Sequence, residues 1–299
     1  MSFFWQIVNS LAQGSLYALI ALGYCLVFSV LRFINFAHGD FLMVGAYAGL
    51  FFSAYFPISQ AGIILTIVAS GIICALLGIF LQSVVYKPFM KNTEKNSSNL
   101  LVCAIGVSFL LQYGISAICS SRPRGYLANF SGEIINVFGI YTDSGKIFIF
   151  LFTIFVLITL SLFFKKTKIG LAIKGYSSDK LGGIVCGING KKVCLICFLI
   201  GSFLAGACGV LYGSFFSVNP FMGTQPGIKA FAAAVIGGIG SIKGAFLGGL
   251  ILGFAETFCG AFLSSAYKNS VAFFILIICL CFLPKGFFAK ETAEYTDRA

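Results

Sequence analysis

The sequence predicts an all-α membrane protein: a polytopic helix bundle of about eight or nine spans with broken or re-entrant helices. Three observations carry this. The chain of 299 residues is 59% hydrophobic and only 10% charged, whereas a soluble domain has about 25% charged residues. Its charges gather in short loops between uncharged runs long enough to span a bilayer, for which about 20 residues suffice. The third observation is one stretch near the C-terminus, Lys229 to Gly244. Thirteen residues separate Lys229 from Lys243, too few to cross, and Gly237, Gly238 and Gly240 break the run. A broken helix at membrane depth is tolerated only where it packs in protein or lines a polar cavity. The stretch is therefore a candidate packing hinge or pathway.

The elements follow in order. Residues 1–31 carry no charge and read as one long helix from about Phe4 to Leu31, with Trp5 and Tyr17 as interface aromatics. No basic segment precedes it, so it reads as a retained span and not as a cleaved leader. After Arg32 comes a polar knot, Asn35-Phe-Ala-His-Gly-Asp40. Phe41 to Tyr86 is uncharged and long enough for two spans, with a turn near Pro57–Gln60 and a GxxxG face at Gly45 and Gly49. A basic loop (86–99) leads to a span at Leu100–Cys119. Ser120–Lys146 is a near-neutral loop, and Ile147–Phe164 is the next span. The segment 165–192 holds seven Lys and one Asp and reads as a loop with a short amphipathic helix lying on the cytoplasmic face. Val193 to about Phe216 spans again, Ser217–Ile228 reads as a loop, and two further spans cover Ala245–Leu263 and Ser270–Leu283. Residues 1–284 form one transmembrane domain, and 285–299 form a polar tail. The basic loops belong inside by the positive-inside rule, which puts the N-terminus outside and the C-terminus inside.

Several function classes drop out. The net charge of +11 lies in loops and is mostly lysine, unlike the arginine-rich surfaces that read bases. The eleven cysteines fall largely in apolar runs and read as buried thiols. One histidine rules out a multi-His metal site, so no metal site and no catalytic residue are assigned. No P-loop is present, and Gly238-Ile-Gly240 fails the dinucleotide fingerprint because Lys243 occupies its third glycine position.

Ionisable groups within membrane segments are costly and are candidates by default. His38 and Asp40 flank Gly39 at the end of a broken helix. Either Asn35 or Asp40 caps free backbone N–H groups there, or these residues touch a solute. Glu256, deep in its helix, can pair with Lys229, with Lys243 or with a neighbouring helix. Two glycine rows, Gly240/Gly244/Gly248 and Gly249/Gly253, put small residues on adjacent faces and predict tight helix packing.

Three segments carry a resemblance: Asn35-Phe-Ala-His-Gly-Asp-Phe-Leu-Met-Val-Gly-Ala-Tyr47; Gly170-Leu-Ala-Ile-Lys174 with Asp179 and Gly187-Ile-Asn189; and Lys229 through Gly249. Together the chain resembles the LivH-type permeases of branched-chain amino-acid ABC importers over nearly its whole length. The resemblance implies a transport subunit of a bacterial inner (plasma) membrane importer that works by alternating access, and not an enzyme. It implies a second, LivM-like permease subunit, two cytoplasmic ATPase subunits that bind the ATP, and an extracytoplasmic binding protein. This chain would hold no cofactor. Lys174, Asp179, Gly187 and Ile188 would lie in the segment that couples to the ATPases. The breaks at Asn35–Asp40 and Gly237–Gly240 would face or hinge the path. The chain departs from the family pattern at Lys174, usually Arg, and at Gly182-Gly183, usually Ala. Permeases of the same group carry urea, short amides or sugars, so these solutes stay open, as does an ion-coupled secondary transporter.

Overall fold

Hydrocarbon offers a backbone no hydrogen-bond partners, so a chain this apolar must close its own bonds, and helices do that locally. The computed structural model describes residues 3–55, 60–126, 134–137, 140–283 and 286–288. Among these, eleven α-helices follow in order: α1 Phe3–Leu31, α2 His38–Ser53, α3 Gln60–Leu81, α4 Thr93–Cys119, α5 Ser144–Lys166, α6 Lys168–Ser178, α7 Lys180–Val185, α8 Gly190–Phe215, α9 Thr224–Gly237, α10 Ile242–Phe262 and α11 Lys268–Phe282. One antiparallel hairpin, β1 Ile134–Val137 and β2 Ile140–Asp143, lies between α4 and α5. Asp143 closes it by accepting the Gly145 N–H at 2.9 Å as the cap of α5.

Seven helical stretches among the described residues are long and apolar enough to cross a membrane. α2 and α9, with 16 and 14 residues, reach only about 24 and 21 Å at 1.5 Å per residue. They are the broken helices, and with the seven they account for the eight or nine expected spans. The turn expected near Pro57 lies outside the described residues, except Gln60.

α1 forms the centre. In its most apolar window 89% of residues are buried, against 22% or less in α4, α5 and α11. It packs on α5, α8, α9 and α10, while α2 and α3 pack on α8. Tyr17 is therefore not an interface residue: it is 1% exposed at the heart of the bundle. Trp5 does lie near a helix end, with the Lys146 ammonium 5.1 Å from its ring centroid.

The glycines explain how closely these helices approach. A Cβ at Gly249 would lie 2.6 Å from Ala18 Cα, and one at Gly253 would meet the Gly14 backbone. That row faces α1. The other row faces α9: Gly244 abuts Gly237, and Gly248 abuts Ala233. Gly240 leaves this row, because it lies in the turn before α10 with φ 98°. Gly45 of α2 sits against Gly206 of α8. All eleven cysteines are free, including Cys194 and Cys197, which are buried in α8.

Arg32 ties the end of α1 to the basic segment by donating to the Ser177 carbonyl at 2.9 Å. At the opposite end, Lys146 donates to Asn9 at 2.7 Å, and Arg124 pairs with Val218 through two backbone bonds of 2.9 and 2.7 Å. Two boundaries differ from expectation. α9 begins at Thr224, inside the expected 217–228 loop, and Pro226 occupies its first turn, where a missing N–H leaves no bond unmade. The start of the tail is docked: the Phe287 and Phe288 N–H groups donate to the Ile236 and Gly237 carbonyls at 3.0 and 3.1 Å. Residues 289–299 lie outside the described part.

Candidate functional site

The candidate residues fall into four places. The first is the meeting of the α2 and α9 N-termini. After Arg32 the chain turns back into the bundle, and the His38 N–H donates to the Asn35 carbonyl at 3.0 Å. The expected side-chain cap is not formed. Ala37 holds the cap position without a side-chain bond, because Asn35 and Asp40 both reach other helices. The Asn35 Oδ1 accepts from the Tyr86 hydroxyl at 3.0 Å. Asp40 accepts from Gln112 Nε2 of α4 at 2.8 Å, and Gln112 also lies 3.2 Å from Ser108 Oγ and 3.4 Å from Thr224 Oγ1. A carboxylate in the first turn of α2 also complements that helix's dipole. Gly39 lets α2 and α9 touch, since a Cβ there would lie 2.6 Å from the Gly223 carbonyl oxygen. His38 is 1% exposed, with its ring 4.6 Å from that of Tyr24 and its Nε2 over Gly23, where no Cβ would fit.

The second place is a buried ion pair at the centre. Lys229 Nζ of α9 lies 2.5 Å from Glu256 Oε1 of α10. The Tyr17 hydroxyl donates to Glu256 Oε2 at 2.6 Å and accepts from Gln13 Nε2 at 2.8 Å. Lys243, the other expected partner, is exposed elsewhere. The cluster joins three helices, with every charge matched.

The third place is the break after α9. Gly238 ends the helix at φ 95°, a conformation open to glycine and strained for other residues. Ser241 restarts helix by accepting the Gly244 N–H at 3.1 Å. The docked Phe287 and Phe288 N–H groups occupy the Ile236 and Gly237 carbonyls at this break. Ile239 and Asn35 line one apolar crevice together with Tyr24, Phe28 and Phe231. The two breaks thus share a crevice wall, while Asp40 and Gly237 lie apart, at opposite ends of α9.

The fourth place is the basic segment. It folds as two short helices, each with its own cap. Thr167 accepts the Gly170 N–H at 3.0 Å and starts α6. Asp179 accepts the Leu181 N–H at 2.9 Å and starts α7. Asn189 accepts from Lys191 and Lys192 at 3.1 and 3.3 Å and starts α8. Gly187 turns the chain at φ 81°. Ile188 packs inward near Gly175 and Gly183, and Lys174 is exposed. Burial pushes the nearby Tyr176 phenol above its ordinary value, with Cys194 adding to the shift. α7 contains Gly182 and Gly183 and still forms, over six residues. Leu181, Ile184 and Val185 are 77%, 57% and 87% exposed, an apolar surface lying outside the spans.

Sequence reasoning missed Gln112, Thr224 and Gln13, and it placed Tyr17 at the membrane interface instead of in this network. A lone glutamine in an apolar run is the same signal as a lone carboxylate, so Gln112 and Gln13 were open to it. Among the described residues no three His, Cys, Asp or Glu side chains group as metal ligands.

The family model described as "Branched-chain amino acid transport system / permease component" matches residues 6–280. The high-affinity branched-chain amino acid transport system permease protein LivH of Salmonella typhimurium is 36% identical over 98% of this chain and 97% of its own. LivH of Escherichia coli K12 is 35% identical with the same coverage. BraD of Pseudomonas aeruginosa, described in the same words, is 36% identical over 97% of this chain and 96% of its own. A seven-span bundle with two broken helices, matched along its length by such relatives, is a transport subunit and not an enzyme: the chain belongs to the family of permease components of the branched-chain amino acid transport system.

Proposed function

We propose that this chain is one of two membrane subunits of an ATP-driven importer that carries leucine, isoleucine and valine into the cell. A second, LivM-like permease pairs with it, two cytoplasmic ATPase subunits bind ATP, and an extracytoplasmic binding protein delivers the amino acid and sets most of the selectivity. The chain lies in the plasma membrane with its N-terminus outside and its C-terminus and the 165–192 segment inside. ATPase closure pushes α6 and α7, and Arg32 passes the movement to α1. The breaks at Asn35–Asp40 and Gly237–Gly240 then act as hinges for alternating access.

The exposed apolar face of α7 carries this reading. Three large exposed aliphatic side chains outside the spans form an apolar patch of the kind that marks a protein contact. Lys174, Asp179, Gly187 and Ile188 shape the segment: the aspartate caps α7, the glycine turns the chain, and the isoleucine wedges between α6 and α7. An ion-coupled transporter gains less support, because Asp40 and Glu256 are each held by a partner. The test is Leu181→Asp with Val185→Asp in the co-expressed complex. We expect normal membrane levels, loss of the ATPase subunits on purification, and at least a tenfold fall in uptake. Unchanged ATPase binding and uptake would reject the coupling role.

A further inference from the structure

One face of the bundle is polar at a depth where lipid is not. Gln112 lies seven residues, about 10 Å, inside the Cys119 end of α4. Thr224, 3.4 Å from it, therefore sits within a hydrocarbon layer of about 30 Å. Thr224 and its neighbour Gln225 are both exposed. Tyr113, adjacent to Gln112, is 61% exposed and meets the ring of Phe221, itself 43% exposed, at 5.8 Å. The side chains of Gln225 and Tyr113 form no hydrogen bond within the described chain. A primary amide facing hydrocarbon unpaired is strongly disfavoured. The outer face of α5 shows the usual solution: exposed Thr159 folds its hydroxyl back to the Phe155 carbonyl at 2.8 Å. Gln225 sits in the first turn of α9 and makes no such return.

We propose that this face, built from Tyr113, Phe221, Thr224 and Gln225, is where the second permease subunit packs. Lipid cannot satisfy the Gln225 amide or the Tyr113 hydroxyl, and a passing solute is absent for most of the cycle, so the cover is a permanent protein neighbour of polar-and-aromatic character. Two glycines on the exposed side of α4, Gly106 and Gly114, have nothing within 4 Å of where a Cβ would stand, which leaves room for a close helix. The Asp40–Gln112–Thr224 cluster lies directly behind the seam, so the seam and the polar cluster form one continuous polar region. This inference rests on the two-subunit reading above and names its surface.

The test places p-benzoylphenylalanine at Gln225 or Tyr113, and as controls at Ile158 of α5 and Phe274 of α11, which are 52% and 61% exposed. Whole complexes are irradiated in membranes, and adducts are identified by mass spectrometry. Uptake before irradiation checks that each variant assembles. We expect positions 225 and 113 to yield adducts with the second permease at least fivefold above the controls. Adducts at 158 or 274 but not at 113 or 225 would overturn the surface and leave the importer reading standing. An adduct at 225 between two copies of this chain would overturn the named partner. Failure of any second permease to co-purify with the unmodified chain would instead strike the two-subunit reading itself.

Discussion

Lys229→Met isolates the contribution of the central ion pair. The carboxylate of Glu256, 5% exposed, would lose the ammonium 2.5 Å away and keep only the Tyr17 hydroxyl at 2.6 Å. Breaking a buried pair by removing one partner costs about 3–5 kcal/mol, and the retained hydroxyl bond places this case near the lower end, at about 3 kcal/mol. Glu256→Gln strands Lys229 instead, but the Tyr17 ring lies 5.7 Å from its ammonium, so the cost falls to about 2 kcal/mol. The double variant has no unpaired charge. Its loss should be about 2 kcal/mol, from lost hydrogen bonds and imperfect packing, which leaves a coupling of about 3 kcal/mol between the two sites. Purified protein melted in detergent reads this as an apparent midpoint about 5 °C lower for Lys229→Met, with the double variant melting above that single. A double variant less stable than both singles, or a Lys229→Met protein that melts like the parent, would refute the assignment of the pair as the lock between α9 and α10.

Three further outcomes follow from the packing and the caps. Gly253→Leu should reduce the folded yield sharply, because its side chain meets the Gly14 backbone and overpacking costs about 1–3 kcal/mol even where neighbours can move; Phe274→Leu on the exposed side of α11 should leave size-exclusion profiles unchanged. Asp179→Ala removes the cap of α7 at a cost of about 1 kcal/mol, and hydrogen exchange at Leu181 should quicken about fivefold while α8 stays protected. Truncation after Leu283 removes the donors to the Ile236 and Gly237 carbonyls. Two such bonds contribute about 1–3 kcal/mol together, so exchange over residues 235–241 should rise at least about fivefold with the spans intact.

The spans were legible because each uncharged run has the length a bilayer demands, and the basic loops mark their ends. The glycine rows of α10 were legible as packing faces because their spacing of four repeats one side of a helix. The pairing of Lys229 with Glu256 was legible only as one of several options. Sequence places the two charges 27 positions apart, and only the turn at Gly238 brings their helices antiparallel. The cap expected of Asn35 or Asp40 failed for the same kind of reason: local bonding competes with partners such as Tyr86 and Gln112 that arrive from distant helices. Tyr17 was misplaced because an aromatic alcohol suits both a membrane interface and a buried network, and composition cannot separate the two. The start of α9 was read too late, since Pro226 signals a loop unless it falls in a helix's first turn.

We propose that ATP hydrolysis by partner subunits drives amino-acid entry through this chain. The most direct test of this proposal reconstitutes the co-expressed complex into proteoliposomes, with the binding protein and radiolabelled leucine on the outer face of the complex and ATP on the face carrying the 165–192 segment. The account predicts leucine accumulation that requires ATP, persists when ionophores collapse the ion gradients, and falls at least tenfold with Leu181→Asp and Val185→Asp. Accumulation without ATP that vanishes with the ion gradient would contradict it.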